Sequence, residues 1–137
     1  MLKNAYGLTL LAGFVILMWA TGVDAAMPEQ VHLATTGESS EMVVQWGTEE
    51  DTTMFCDSDN IVEYGTDPDN LNFSESGDDD MYLWTTCTHT TLLSGLDSNT
   101  TYYYRVGGEG EWSDIFSFKT LEDNPVSVLI GAIADHG

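Results

Sequence analysis

The stretch Gly95-Leu96-Asp97-Ser98-Asn99-Thr100-Thr101-Tyr102-Tyr103-Tyr104-Arg105-Val106-Gly107 decides how the rest of the chain reads. Asp, Ser and Asn supply turn chemistry, because their short side chains bond to nearby backbone. The Thr/Tyr/Val run behind them has the β-branched and aromatic character of a strand. Alternation places Tyr102, Tyr104 and Val106 on one face, with Tyr103 and Arg105 on the other. A Tyr that opens a strand just after a Gly-Leu turn predicts a tyrosine corner, in which the phenol bonds back to upstream backbone, as in Greek-key sandwiches. The competing reading is an ordinary edge strand with an exposed aromatic.

Working outward, the chain is a series of short strand patterns separated by turn signals. Val31–Thr35 is the first, ended by Thr36-Gly37-Glu38-Ser39-Ser40. Glu41–Trp46 alternates, with Met42, Val44 and Trp46 on one face, which is the template of a half-buried strand. Ile61–Tyr64 is the third, with Val62 and Tyr64 sharing a face, and Phe73–Ser76 is a short edge strand. Cys87–Leu93 leads into Gly95, and Ile115–Thr120 pairs back onto the tyrosine-rich strand with Phe116 and Phe118 on one face. Gly47–Asp59 and Gly77–Trp84 read as acidic loops, and Gly107–Glu111 as a tight glycine-rich turn. Seven short strands, regular turns and no helical period predict an all-β Greek-key sandwich.

Met1–Ala25 lies outside that pattern. Lys3 precedes an apolar run from Leu8 to Ala20, and Val23-Asp24-Ala25 places small residues at −3 and −1 of a cut after Ala25. That is the order of a secretory signal peptide. A membrane anchor is the rival, but the run is shorter than the roughly 20 residues a spanning helix needs. The expectation is a secreted, extracellular protein that does not bind membranes. Secretion makes Cys56 and Cys87 readable as a disulfide. A thiol metal site is disfavoured, since two sulfurs alone do not complete a zinc site. Asn72-Phe73-Ser74 and Asn99-Thr100-Thr101 fit the N-glycosylation acceptor, so Asn72 and Asn99 are expected at the surface.

The chain carries 23 acidic residues against three Lys and Arg, a formal charge of −20. Removing the leader deletes one charge of each sign, leaving Arg105 and Lys119 as the cations. Such a balance excludes nucleic acid and anionic membrane as partners. Because consecutive strands reverse, loops fall at alternate ends of a sandwich. One end is expected to collect Gly47–Asp59, Gly77–Thr86 and the Gly107–Glu111 turn with both cysteines and most of the acids, as an acidic pole. The other end collects Asn72, Asn99 and the exit after Thr120. Asp78, Asp79 and Asp80 are hard oxygen donors of the kind that suit calcium, but no EF-hand spacing is present.

After Thr120 the composition changes. Residues 121–125 are linker-like, ending at Pro125, and Val126–Ala134 is an unbroken apolar run, as in a strand buried on both faces of an α/β sheet. It ends in Ala134-Asp135-His136-Gly137, and ligands of open α/β sheets bind beyond strand carboxyl ends. Asp135 is therefore a candidate metal ligand.

These residues together resemble a known family. Pro28-Glu29-Gln30-Val31-His32-Leu33, Met42-Val43-Val44-Gln45-Trp46 and Val62-Glu63-Tyr64-Gly65-Thr66 resemble the amino-terminal domain of purple acid phosphatases. So do Thr88-His89-Thr90-Thr91-Leu92, the run Gly95–Gly107, and Trp112–Thr120. The resemblance implies a fibronectin-III-like sandwich over residues 26–120, then a linker, then the start of a truncated dinuclear metallophosphoesterase domain at 126–137. It implies that Asp135 is an iron ligand, since Asp135 and Gly137 match the family's Gly-Asp-x-Gly, with Ala134 in place of the first glycine. His136 holds the variable position, and His89 is expected to pack or bond locally rather than bind metal. In the full-length enzyme the resemblance implies iron plus a second divalent metal (Fe, Zn or Mn), phosphomonoester substrates at acid pH, and admits a homodimer. The family's other ligand motifs have no counterpart here, so the fragment alone is expected to be inactive and to bind no metal tightly: a dinuclear site needs about six or seven donors. A non-catalytic secreted adhesion or binding module of the same fold is the alternative.

Overall fold

The computed structural model describes residues 27–49, 56, 60–82, 85–108 and 110–123. Among them are the strands β1 (Glu29–Ala34), β2 (Met42–Glu49), β3 (Ile61–Gly65), β4 (Phe73–Ser76), β5 (Asp78–Tyr82), β6 (Thr86–Leu93), β7 (Thr101–Gly108), β8 (Glu111–Trp112) and β9 (Phe116–Lys119). One sheet has the order β1-β2-β6-β5, and the other β4-β3-β7-β8 with β9 also on β7. All pairings are antiparallel. The described residues contain no helix, and the fold is a two-sheet sandwich of the fibronectin-III or immunoglobulin kind.

Alternation builds its core. Met42, Val44 and Trp46 from β2 are buried with Leu93 of β6 against Val62 and Tyr64 of β3 and Tyr102, Tyr104 and Val106 of β7. Each fully buried aliphatic side chain contributes about 1.5–3 kcal/mol relative to exposure. Aromatic rows follow from register. Tyr64 lies opposite both Phe73 and Tyr104, and Tyr104 opposite Phe116. Their rings meet at 5.3 Å for Tyr64–Phe73 and 5.7 Å for Tyr104–Phe116, within the range where edge or offset contacts are favourable.

The tyrosine corner is formed. The Asp97 N–H donates to the Tyr102 phenol oxygen at 3.0 Å. Thr120 completes the turn: its hydroxyl donates to the Asp97 carbonyl at 2.6 Å and accepts the Thr100 N–H at 2.9 Å. Asn99 sits there at φ 53, a left-handed conformation that Asn tolerates better than most residues. Replacing Tyr102 with Phe orphans the Asp97 N–H and is expected to cost about 1–2 kcal/mol in urea unfolding. An unchanged midpoint would show that the turn holds without the phenol.

The sequence expectation fails at one important place. Asp78–Tyr82 is not a loop but β5, paired along its length with β6. Asp is a poor strand former in isolation, which is why the local pattern reads as loop. The strand forms because β6 offers an open edge and because Gly77 lets the chain cross from one sheet to the other. A Cβ at Gly77 would overlap the Thr90 carbonyl. The Asn60 amide anchors the crossing by donating to the Gly77 carbonyl at 2.6 Å. Acids on an edge strand also discourage pairing with other chains. Asp78–Asp80 therefore run along a sheet edge instead of gathering at the end loop. Two smaller differences are that β2 continues to Glu49 and that the glycine-rich turn closes a further short strand, β8. There Gly107 has φ +133, and a Cβ would overlap the Glu111 carbonyl.

Cys56 and Cys87 are joined as a disulfide with Cα atoms 5.7 Å apart, so both cysteines lie at one end of the sandwich. Asn72 and Asn99 are exposed.

Candidate functional site

Register assembles an unusual row of side chains across the first sheet. Trp46 of β2 lies opposite His89 of β6, and His89 lies opposite Asp79 of β5. Residues directly opposite on neighbouring strands share a face and touch. The Trp46 indole stacks on the His89 imidazole with centroids 5.0 Å apart. His89 Nδ1 is 2.7 Å from Asp79 Oδ1. Thr48, the diagonal neighbour on β2, has its hydroxyl 2.8 Å from His89 Nε2.

An ionised carboxylate only accepts, so the tautomer that fits has its proton on Nδ1 toward Asp79, and in that tautomer Nε2 accepts from the Thr48 hydroxyl. The order hydroxyl, imidazole, carboxylate is that of a hydrolytic triad. Access decides against that chemistry. Thr48 is 2% and His89 0% exposed, so no substrate atom can approach the hydroxyl. The row binds strand to strand: it ties β2, β6 and β5, and through Asn60, whose amide donates to Asp79 at 2.9 Å, it reaches the residue before β3 in the other sheet. His89 packs and bonds locally. The sequence hid this, because a buried histidine's partners depend on register. A weak signal existed in the period-two placing of Asp79 and Met81 opposite His89 and Cys87.

That same alternation separates the three aspartates. Asp79 points inward, while Asp78 and Asp80 take the opposite face, so the three carboxylates do not converge on one calcium ion. Among the described residues no group of three or more His, Cys, Asp or Glu side chains could hold a metal. Asp135, the candidate iron ligand, lies outside the described residues, as do Met1–Ala25 and the run Val126–Ala134.

Two further features sit on the outer faces. A cavity of about 310 Å3 lies over the first sheet beside Gly47, with Glu29, His32, Glu49, Tyr82 and Thr88 around it. On the second sheet, Arg105 donates through Nε and Nη2 to Glu63 Oε2 at 2.8 and 2.6 Å, and its guanidinium lies 4.3 Å from the Trp112 ring centroid. Both groups of that pair are about a third exposed, so solvent screens it to roughly 0.2–1 kcal/mol. The cation is neutralised where it stands, and offers little to an anionic ligand.

Two buried phenols have raised pKa values. Burial lifts Tyr64, with the Glu75 charge and Tyr102 adding to it, and burial lifts Tyr104. A raised folded value means the native state holds its protons longer than the unfolded chain. The associated stability is complete below the unfolded tyrosine value of ~10 and is lost as pH rises through the folded values. Urea midpoints followed by circular dichroism are therefore expected to fall as pH rises above about 10. Stability that stays flat through that range would contradict the burial of these rings.

The family model described as purple acid phosphatase, N-terminal domain, matches residues 28–120. No curated protein sequence matches the chain. Among solved structures, the purple acid phosphatase PPD1 from yellow lupin (Lupinus luteus) seeds superposes with a TM-score of 0.59 at 22% identity, over 72% of this chain and 20% of that one. That likeness shows the fold, and the chain spans about a fifth of the lupin protein's length. The sensor domain of the anti-sigma factor RsgI4 from Pseudobacteroides cellulosolvens reaches a TM-score of 0.46 at 14% identity, over 80% of this chain and 93% of that one. At that score the likeness carries no functional weight.

Proposed function

Because the chain belongs to the purple acid phosphatase N-terminal domain family through residues 28–120, we propose that it is the structural front of a secreted purple acid phosphatase, a metal-dependent phosphomonoesterase. The supporting observation is the family match over the sandwich. The metal chemistry of such an enzyme is assigned to residues beyond the sandwich, on the resemblance carried by Asp135-His136-Gly137. Asp135 is the proposed contribution of this chain to that centre, as an iron ligand beside a divalent ion, a metal pair whose role is to activate hydroxide and neutralise phosphoryl oxygens.

The domain's own part is to be a rigid, disulfide-closed scaffold. The proposed secretory route runs through cleavage after Ala25, with glycans on Asn72 and Asn99. Both asparagines are exposed, which supports their modification.

The test is to determine the transcript beyond Gly137 and assay its product with p-nitrophenyl phosphate in acid buffer. Chelator-sensitive hydrolysis that Asp135→Asn lowers by at least the roughly 10–100-fold lost when even the outer partners of a metal are mutated is the expected result. A transcript that stops at Gly137, with a product inert toward phosphomonoesters, would leave the binding-module reading.

A further inference from the structure

We propose that the cavity over Gly47, on the outer face of the first sheet, binds a small organic cation: an ammonium or guanidinium head on an apolar stem. The site stands on this domain's geometry and does not depend on the phosphatase reading.

The backbone does not need glycine at position 47. Gly47 lies inside β2, paired with Glu29 of β1 on one side and Thr88 of β6 on the other. Its φ is not positive, and a Cβ there would meet only the Cys87 carbonyl, at an ordinary 3.6 Å. Strand interiors disfavour glycine, and one found there often marks the close approach of a ligand. The missing side chain leaves the floor of a cavity of about 310 Å3.

Strand β1 is shaped to wall that cavity. Its pairing with β2 slips by one residue between Glu29 and His32. Strict alternation would send residues three apart to opposite faces. The extra residue brings Glu29, opposite Gly47, and His32, opposite Gln45, to the same outer face. Within the slip Gln30 holds φ 52, a conformation uncommon outside glycine, and backbone strain of this kind gathers at ligand sites. The Gln30 carbonyl lies 2.7 Å from His32 Nδ1. A carbonyl only accepts, so the tautomer that fits has its proton on Nδ1, which leaves Nε2 as an acceptor.

The charge around the cavity is one-sided. Glu29 and Glu49 line it, and among the described residues neither takes part in an ion pair. The described cations, Arg105 and Lys119, belong to β7 and β9 of the other sheet. Anions are therefore repelled, and a cation meets two unpaired carboxylates. Glu29, His32 and Glu49 do not gather closely enough to hold a metal ion, so a bare ion is a poorer fit than a head group with a stem. Tyr82, 65% exposed, offers its ring to a cation. The Thr86 and Thr88 hydroxyls can accept from its N–H groups, and the stem lies over Gly47, as the stems of lysine side chains cover apolar surface.

The experiment titrates butylamine, and separately Nα-acetyl-lysine methylamide, into the full chain at constant ionic strength, read by amide NMR shifts and calorimetry. The expected result is saturable binding with shifts centred on Glu29, His32, Gly47 and Thr88. Tighter binding of the lysine amide identifies a basic side chain of a partner protein as the source, and equal binding a free amine. Gly47→Val is expected to melt no lower than wild type yet to bind at least about tenfold more weakly, a combination that a merely structural glycine would not give. The double variant Glu29→Gln, Glu49→Gln should lose affinity by about tenfold, on the order of two exposed ion pairs. Asp69→Asn with Glu75→Gln removes the same charge elsewhere and should stay within about twofold, because salt screens distant charges. Should Gly47→Val not fold, the charge variants and the shift map still decide. Equal losses in the two charge variants, shifts spread over the whole domain, or methyl glucoside bound as tightly as butylamine would each overturn the site.

Discussion

Cutting Trp46 back to alanine is expected to lower the unfolding free energy by about 3–5 kcal/mol, the range for removing a large aromatic from a packed core. Domains of this kind hold roughly 5–15 kcal/mol in all, so the variant should be partly unfolded at 37 °C. The indole is 1% exposed, sits in the middle of β2 and covers one face of His89 at 5.0 Å. Its loss opens a cavity between the sheets and removes the ring stacked on His89. Among the described residues Trp46 Nε1 is a buried donor with no hydrogen-bond partner. Such an orphan works against stability by about 1–3 kcal/mol. Trp46→Phe removes the orphan while keeping most of the ring, and should cost clearly less than Trp46→Ala in urea unfolding followed by circular dichroism. Equal losses would mean that the indole nitrogen is satisfied in solution.

Replacing Cys56 and Cys87 together by serine is expected to cost about 3–4 kcal/mol on the loop-entropy account. The bond spans 31 residues, a loop that contains β3, β4 and β5. Without it, three strands must find their partners from a much wider unfolded ensemble. Cys87 is fully buried on β6, opposite Thr48 and Met81. Cys87→Ser alone should therefore be worse than Cys56→Ser, because it places a hydroxyl at a fully buried position as well as opening the loop. Urea midpoints of the double and single variants, compared with reduced wild type, check both statements. A double variant as stable as wild type would show that the strands need no covalent closure.

Much of the fold was legible because it rests on local periodicity. Met42, Val44 and Trp46 repeat every second residue, as do Tyr102, Tyr104 and Val106. An apolar stripe with that period can be buried only as one face of a strand. The turn before Tyr102 was legible for a similar reason: Asp97, Ser98 and Asn99 choose their conformation through neighbours a few residues away. Two cysteines leave one intramolecular pairing to form.

The candidate site was not legible, and β5 shows why. A run of three aspartates has no local reason to be extended. It becomes a strand only when Gly77 lets it cross beneath Thr90 and β6 presents an open edge. By itself, then, the chain determines which side chains turn inward and that they form two antiparallel layers. Which inward residues meet is set by register, a relation between positions tens of residues apart, such as Trp46 with His89. Only the packed tertiary structure settles that, because a slip by one residue would send His89 to solvent and leave Asp79 alone.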